Sequence, residues 1–310
     1  MENGNYILID KSIIAEGCAY DFSIYYFHNK SKIKKLQNKG VVIDSDDLLY
    51  FEQANKLYVH AHEHSSYKKF MQENFVGKSG NPVSFASKFN SIYKNASKAL
   101  NDLFDNPEKL SNYKESKKIV NELVESVLDD DFAIKSLMEI ATHDYYTHTH
   151  SINVSIYALS LGNFLSLSTK ELEELGEAAL LHDLGKSKID SNIINKKGSL
   201  TIQEFKIMKK HPSFGVSIGL KLGIKNKNIL EGIKYHHEKM DGSGYPNGLY
   251  NDEIPLYAKI ICICDIFDAL TSQRSYKQAM TSYEALKLMK VEMNRHIDLK
   301  LLNKMILMFK

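Results

Sequence analysis

Four short segments carry residues whose types and spacing suit metal chemistry. Leu181–Lys186 reads LHDLGK, and His236–Leu249 reads HHEKMDGSGYPNGL. His211-Pro212 lies between them, and downstream Asp265 and Asp268 stand three residues apart in the apolar run IICICDIFDAL. Adjacent His–Asp and His–His pairs gather imidazoles and carboxylates into very few residues. A buried carboxylate costs roughly several kcal/mol unless it is paired or metal-bound, and a cation beside Asp265 would offset that. With His150 the donors come to five imidazoles (His150, His182, His211, His236, His237) and two carboxylates (Asp183, Asp265). That exceeds one tetrahedral zinc and suits two divalent metals sharing a bridging carboxylate. Nitrogen and oxygen ligation without thiolate favours Fe or Mn, with Zn, Ni and Co as alternatives.

Helices must deliver these donors. Ser168…Glu171, Thr201…Glu204 and Thr281…Glu284 have the spacing of N-terminal capping boxes. The helix opening at Ser168 runs Leu172, Leu175, Ala179 and Leu180 toward a core and closes on His182-Asp183. Gly185 then lets the chain turn and leaves Lys186 beside the pair. A helix through Ile229 and Ile233 ends on His236-His237, and His150 precedes an amphipathic helix, Ser151–Phe164.

The fold class is mainly α: a helical domain over residues 129–310, connecting helices over 79–128, and a small α+β module over 1–78 that reads as regulatory. In the module Phe22–Phe27, Val41–Ile43 and Leu57–Val59 are β-type runs. A short helix is expected from Ser45 to about Ala54 and another over Ser65–Phe75, with Phe75–Pro82 as linker. Alternation along a strand end puts His60, His62 and His64 on one solvent-facing side.

Composition excludes several classes. Forty Lys and Arg against 38 Asp and Glu give a net charge of +2, with no global basis for binding a nucleic-acid polymer or a membrane surface. Three cysteines, Cys18, Cys262 and Cys264, make no disulfide framework and fit a reducing cytoplasm. Neither a secretory leader nor a membrane-span-length apolar run is present, so a soluble cytoplasmic protein is expected.

In order, LHDLGK, HHEKMDGSGYPNGL and DIFDALTSQRSYK resemble the motifs of the HD-GYP family of cyclic di-GMP phosphodiesterases, a branch of the HD metal-dependent phosphohydrolases. The likeness runs from about Thr142 to Phe309, with YTHTHS (Tyr146–Ser151) as the opening motif and His211-Pro212 as the intermediate one. It implies an all-helical HD-type domain. His150, His182, Asp183 and Asp265 would hold one metal, and His211, His236 and His237 the other, with Asp183 bridging. Some members add a third metal through a Glu where this chain has Tyr146, so two metals are expected; Asp144 and His148 are off that register. Lys186, Arg274 and Lys277 match positions that contact substrate phosphates. Asp268 matches an acid expected to hold Lys186 or Arg274, which places Asp183, Lys186 and Asp268 in the catalytic machinery. Gly244-Tyr245-Pro246 would form a loop at the mouth of the site, shaping it, touching substrate or meeting partner proteins.

The activity so implied is hydrolysis of cyclic di-GMP to linear pGpG, with GMP as the product of a second step, by in-line attack of a metal-bridging hydroxide. Signalling partners would dock on the GYP loop or the N-terminal module, and the chain would be a monomer or homodimer. Two other readings stand beside it: an HD hydrolase of another cyclic dinucleotide, and a catalytically silent cyclic di-GMP receptor.

Overall fold

The computed structural model describes residues 6–9, 14, 17–29, 32–44, 51, 54, 56–75, 85–129, 147–196, 198–272 and 279–309. The chain divides into two compact units, Met1–Lys88 and Phe89–Lys310.

The first unit is built on an antiparallel sheet of β1 (Tyr6–Ile9), β2 (Ile24–Asn29), β3 (Lys32–Gln37) and β4 (Leu57–His60), in the order β1-β4-β2-β3. Its core gathers Tyr20, Phe22, Ile24, Leu57 and Val59, against which Tyr67 and Phe70 of α1 (His64–Phe75) pack. Phe22 meets Tyr67 edge-on with centroids 5.6 Å apart, and Tyr20 meets Phe70 at 5.0 Å. β2, β4 and α1 follow the aromatic and β-branched runs of the sequence. β1 and β3 were not legible there. β3 reads KIKKLQ, and lysine on an edge strand is how sheets discourage further pairing, so its composition conceals a strand. Val41–Ile43 forms only an isolated bridge, Ala19 to Val42. The helix expected from Ser45, and the linker beyond Phe75, lie largely outside the described residues.

The histidine run departs from its expected form. β4 ends at His60, and Ala61–Glu63 turn as a 3-10 helix that leads into α1. Strand alternation therefore stops before His62 and His64. His60 acts as N-cap, its Nδ1 2.5 Å from Nδ1 of His62, and Glu63 accepts from the backbone N–H and hydroxyl of Ser23 at 3.3 Å each.

The second unit is helical: α2 (Phe85–Asp105), α3 (Leu110–Asp129), α4 (Thr147–Phe164), α5 (Thr169–Leu181), α6 (Ser191–Ile194), α7 (Ile202–Met208), α8 (His211–Lys221), α9 (Lys227–Tyr235), α10 (Leu256–Thr271), α11 (Ser282–Glu292) and α12 (Leu299–Met308). All three capping boxes form. Ser168, Thr201 and Thr281 accept from the backbone N–H of Glu171, Glu204 and Glu284, and each carboxylate accepts in return from the N-cap backbone at 2.8, 2.7 and 2.9 Å.

α4 differs from its expected form in two ways. It begins at Thr147, so His150 lies inside its first turn. It is also not amphipathic: every residue from His150 to Gly162 is buried, because α3, α5, α10 and α12 all pack against it. Of its buried serines, Ser155 is satisfied internally, its Oγ donating to the Gly176 carbonyl at 3.1 Å. α10 is the second central helix. Cys262 and Cys264 are buried in it, and burial pushes the Cys262 thiol up to about 12, which makes both packing residues. Among the described residues no helix is long and apolar enough to cross a membrane.

Candidate metal centre

Three of the imidazoles are presented by one local device. His182 and His236 are the C-cap residues of α5 and α9, and His211 stands three residues beyond the end of α7. The last carbonyls of a helix have no intrahelical donor. Each of these histidines turns Nδ1 onto such a carbonyl three residues back: Ala179 at 2.7 Å, Ile233 at 2.8 Å and Met208 at 2.8 Å. A carbonyl only accepts, so Nδ1 carries the proton and Nε2 projects a bare lone pair into the centre. His150 is oriented by a carboxylate instead. Its Nδ1 lies 2.7 Å from Asp268 Oδ2, and Asp268 Oδ1 accepts from Asn153 Nδ2 at 2.9 Å and from Ser272 Oγ at 3.1 Å. Asp268 therefore holds His150; of the two cations it was expected to hold, Lys186 pairs with Asp183 instead, and Arg274 lies outside the described residues.

Asp183 faces both halves of the centre. Its Oδ1 lies 3.3 Å from His211 Nε2 and 4.0 Å from His236 Nε2. Its Oδ2 lies 3.4 Å from His182 Nε2, 3.8 Å from His150 Nε2 and 2.5 Å from Lys186 Nζ. Asp265 Oδ1 adds a contact to His150 Nε2 at 3.1 Å. The ligand atoms of Asp183, His211, His236 and His237 all fall within 4.8 Å of one another, as do those of His150, His182 and Asp265.

Two observations test whether these residues fit metal ions. His211 Nε2 and His236 Nε2 stand 3.3 Å apart, and with both Nδ1 atoms protonated two lone pairs face each other there, which is repulsive unless a cation lies against them. In addition, His182 Nε2 and Asp183 Oδ1 are buried with no hydrogen-bond partner among the described residues, an expensive state for polar atoms. The donor set fits, and the His/Asp cluster suits binuclear metal binding.

The electrostatics agree. Burial, reinforced by the neighbouring imidazoles, holds His236 well below its ordinary value, and burial takes His237 down to about 3. Burial pushes the Asp183 carboxyl up, but Lys186 and His182 outweigh it and hold the group well below the usual carboxylate range. Burial lowers His150, yet Asp265 and Asp268 overcome that and raise it to about 10. Neutral imidazole and ionised carboxylate are the metal-ligating forms; His150 starts protonated.

Backbone approach explains the glycines. A Cβ on Gly185 would collide with the His211 carbonyl oxygen and lie 2.5 Å from Gly215 N. Gly185 is thus needed for the close approach that brings Asp183 to His211, more than for a turn. A Cβ on Gly244 would lie 2.5 Å from Glu238 Cα. Glu238 was missed in the sequence. It is 2% exposed, and its carboxylate accepts from the backbone N–H groups of Asn247 at 2.7 Å, Gly248 at 3.1 Å and Leu249 at 3.0 Å. The signal was an acid directly after the His pair and a glycine-rich loop ten residues on. That loop sets the Tyr245 ring against His237, centroids 4.7 Å apart. Floor and mouth then separate: His150, His182, Asp183, His211 and His236 are buried, while Lys186, His237 and Asp265 keep some exposure. Arg274, Lys277, Asp144 and Tyr146 lie outside the described residues, as does the side chain of His148.

Known proteins share this frame. The HD domain family matches residues 104–301. A cyclic di-GMP phosphodiesterase of Pseudomonas aeruginosa is 38% identical over 180 residues, 58% of this chain and 43% of the relative. The cyclic di-GMP phosphodiesterase response regulator RpfG of Xanthomonas campestris is 42% identical over 137 residues, 43% of this chain and 36% of the relative. A 3'3'-cGAMP-specific phosphodiesterase of Vibrio cholerae is 38% identical over 159 residues, 50% of this chain and 30% of the relative. The matched part spans less than half the length of each of these relatives. Among solved structures, an HDG"Y"P protein from Bdellovibrio bacteriovorus shares the fold, with a TM-score of 0.63 and 21% identity, covering 97% of this chain and 98% of that one.

Proposed function

This chain belongs to the HD domain family, and from that premise we propose that it is a metal-dependent phosphodiesterase hydrolysing cyclic di-GMP to linear pGpG. The observation that carries the reading is the pair of opposed lone pairs on His211 and His236, 3.3 Å apart beside Asp183. His150, His182, Asp183 and Asp265 would hold one divalent ion and Asp183, His211, His236 and His237 the other, Fe or Mn being favoured by the all-nitrogen-and-oxygen donor set. When bound, such ions supply Lewis acidity and a nucleophile at neutral pH.

The chain's own residues do the rest. The i−3 carbonyls fix His182, His211 and His236, and Asp268 fixes His150, before substrate arrives, which limits the reorganisation needed at reaction. Lys186, at the mouth and 2.5 Å from Asp183, would share its remaining donors with a non-bridging phosphate oxygen, and Arg274 and Lys277, by their match to phosphate-contacting positions, would add charge for the phosphates. Water adds to phosphorus as the P–O3′ bond breaks, and the leaving 3′ oxygen takes up a proton. The module over residues 1–78 is proposed to regulate the domain over 129–310, and the protein to work in the cytoplasm.

Similarity to 3'3'-cGAMP-specific enzymes supports a second substrate, the mixed cyclic dinucleotide. Incubating anaerobically prepared protein with cyclic di-GMP, 3'3'-cGAMP and cyclic di-AMP, with products resolved chromatographically, decides. Fastest conversion of cyclic di-GMP to pGpG is expected. Preference for the mixed dinucleotide moves the substrate assignment, and binding without product identifies a receptor.

A further inference from the structure

A cationic and aromatic wall stands beside the metal centre, and of it the site described above uses only Tyr245. α7 buries none of its residues, yet it carries Ile202 at 85% exposure and Phe205 at 46%. Four residues beyond Phe205, Lys209 extends its ammonium between two rings, 4.8 Å from the Phe205 centroid and 5.3 Å from that of Tyr245. Phe205 and Tyr245 are themselves edge-to-face at 6.4 Å. From Tyr245 the rings continue inward to His237 at 4.7 Å and His211 at 6.5 Å. An uninterrupted series of π surfaces thus leads from the half of the centre holding His211 and His237 out to solvent. The wall is rigid: Glu238 ties down the loop that bears Tyr245, and the Thr201…Glu204 box ties down α7.

An exposed phenyl ring on a rigid helix beside a phosphodiesterase centre suits one ligand chemistry, a flat purine attached to the phosphate being cleaved. We propose that Phe205, Lys209 and Tyr245 form the nucleobase wall of the site. Phe205 stacks one purine of the substrate, and Lys209 selects guanine. The selection follows from donor inventory. Lys has three donors and no acceptor, whereas guanine offers two acceptors, O6 and N7, along one edge, and adenine replaces O6 with an amino donor. Tyr245 supports Lys209 through its ring face. This deepens the function proposed above and rests on it, because the metal centre must lie where the phosphate docks.

Three readouts separate the wall from that function. Cleavage of bis(p-nitrophenyl) phosphate reports the metal chemistry without a purine. Calorimetric binding of GMP and AMP to metal-loaded protein reports the wall without turnover. Cyclic di-GMP cleavage reports the proposed function. Phe205→Ala, at an exposed position, is expected to weaken GMP binding about tenfold and to raise KM for cyclic di-GMP similarly, with nitrophenyl ester cleavage unchanged. Phe205→Trp is expected to retain binding. Lys209→Met, which keeps the apolar stem, is expected to bring GMP and AMP affinities together. GMP affinity unchanged in Phe205→Ala, or lost equally with nitrophenyl ester cleavage, would overturn the wall. A GMP preference surviving in Lys209→Met overturns the selection. If Phe205→Ala weakens GMP while the wild type leaves every cyclic dinucleotide intact, the wall stands and the proposed function fails.

Discussion

Lys186 Nζ lies 2.5 Å from Oδ2 of Asp183, while Oδ1 of the same carboxylate faces His211 Nε2 at 3.3 Å. The acid that, among the described residues, touches both halves of the centre is thereby tied to the cation at its mouth. Lys186→Met should keep the metal content of the protein and lower kcat about 10²- to 10³-fold, as expected for removing a donor aimed at developing charge. Elemental analysis and initial rates on the same preparation check this.

His182→Ala and Asp183→Ala should each lose bound metal and turnover while leaving the far-UV circular dichroism of the helical unit unchanged. Both side chains are buried, but their polar contacts are to one another, to other donors of the centre, to the Ala179 carbonyl and to Lys186. Wild-type turnover in either variant contradicts the assignment.

Asp268 acts through His150. It fixes His150 Nδ1 at 2.7 Å and is itself held by Asn153 and Ser272. Replacing such an outer partner commonly lowers metal affinity about 10- to 100-fold, and Asp268→Asn should do so for one of two metal equivalents. Equal weakening of both, in a chelator competition, would show a general loss of structure instead.

Metal binding should release a proton from His150. Burial lowers this group, but Asp265 and Asp268 raise it to about 10 from an ordinary 6.5. A raised histidine stabilises the metal-free fold fully below 6.5, and that contribution is lost as pH rises through about 10. The ion must displace the proton, so affinity for that half rises with pH, roughly tenfold per unit for one proton, until the folded value is passed. Calorimetry in buffers of different ionisation enthalpy measures the release. His236 and His237 are held neutral already and release nothing.

The Glu238 carboxylate holds three backbone N–H groups of the loop after Tyr245. Glu238→Gln leaves part of that set unmet in a buried place and should cost about 2–4 kcal/mol in chemical denaturation. Gly244→Ala meets backbone at Glu238 and Lys239 and should displace Tyr245, weakening substrate binding with the metals retained.

Much of this centre was legible because its ligands sit at helix ends that announce themselves. The Ser168…Glu171 box fixed the start of α5, and its apolar register delivered His182-Asp183 inward; the same logic put His236-His237 at the end of α9. What escaped was set by tertiary surroundings. α4 carries enough polar residues to read as amphipathic, yet four helices enclose it. Asp268 could have reached any nearby cation, and only the crossing of α4 and α10 gives it His150. β3 hid its strand character beneath edge lysines, and Glu238 looked like one more acid in a polar loop.

The central proposal is that hydrolysis needs two divalent ions, which His150, His182 and Asp265 on one side and His211, His236 and His237 on the other would hold together with Asp183. It is tested most directly by measuring metal stoichiometry and cyclic di-GMP turnover on the same anaerobic sample as chelator is added. Two equivalents of metal per chain, with pGpG formation falling as they leave and returning on readdition, is the predicted result. Full turnover after both equivalents have been removed would contradict it.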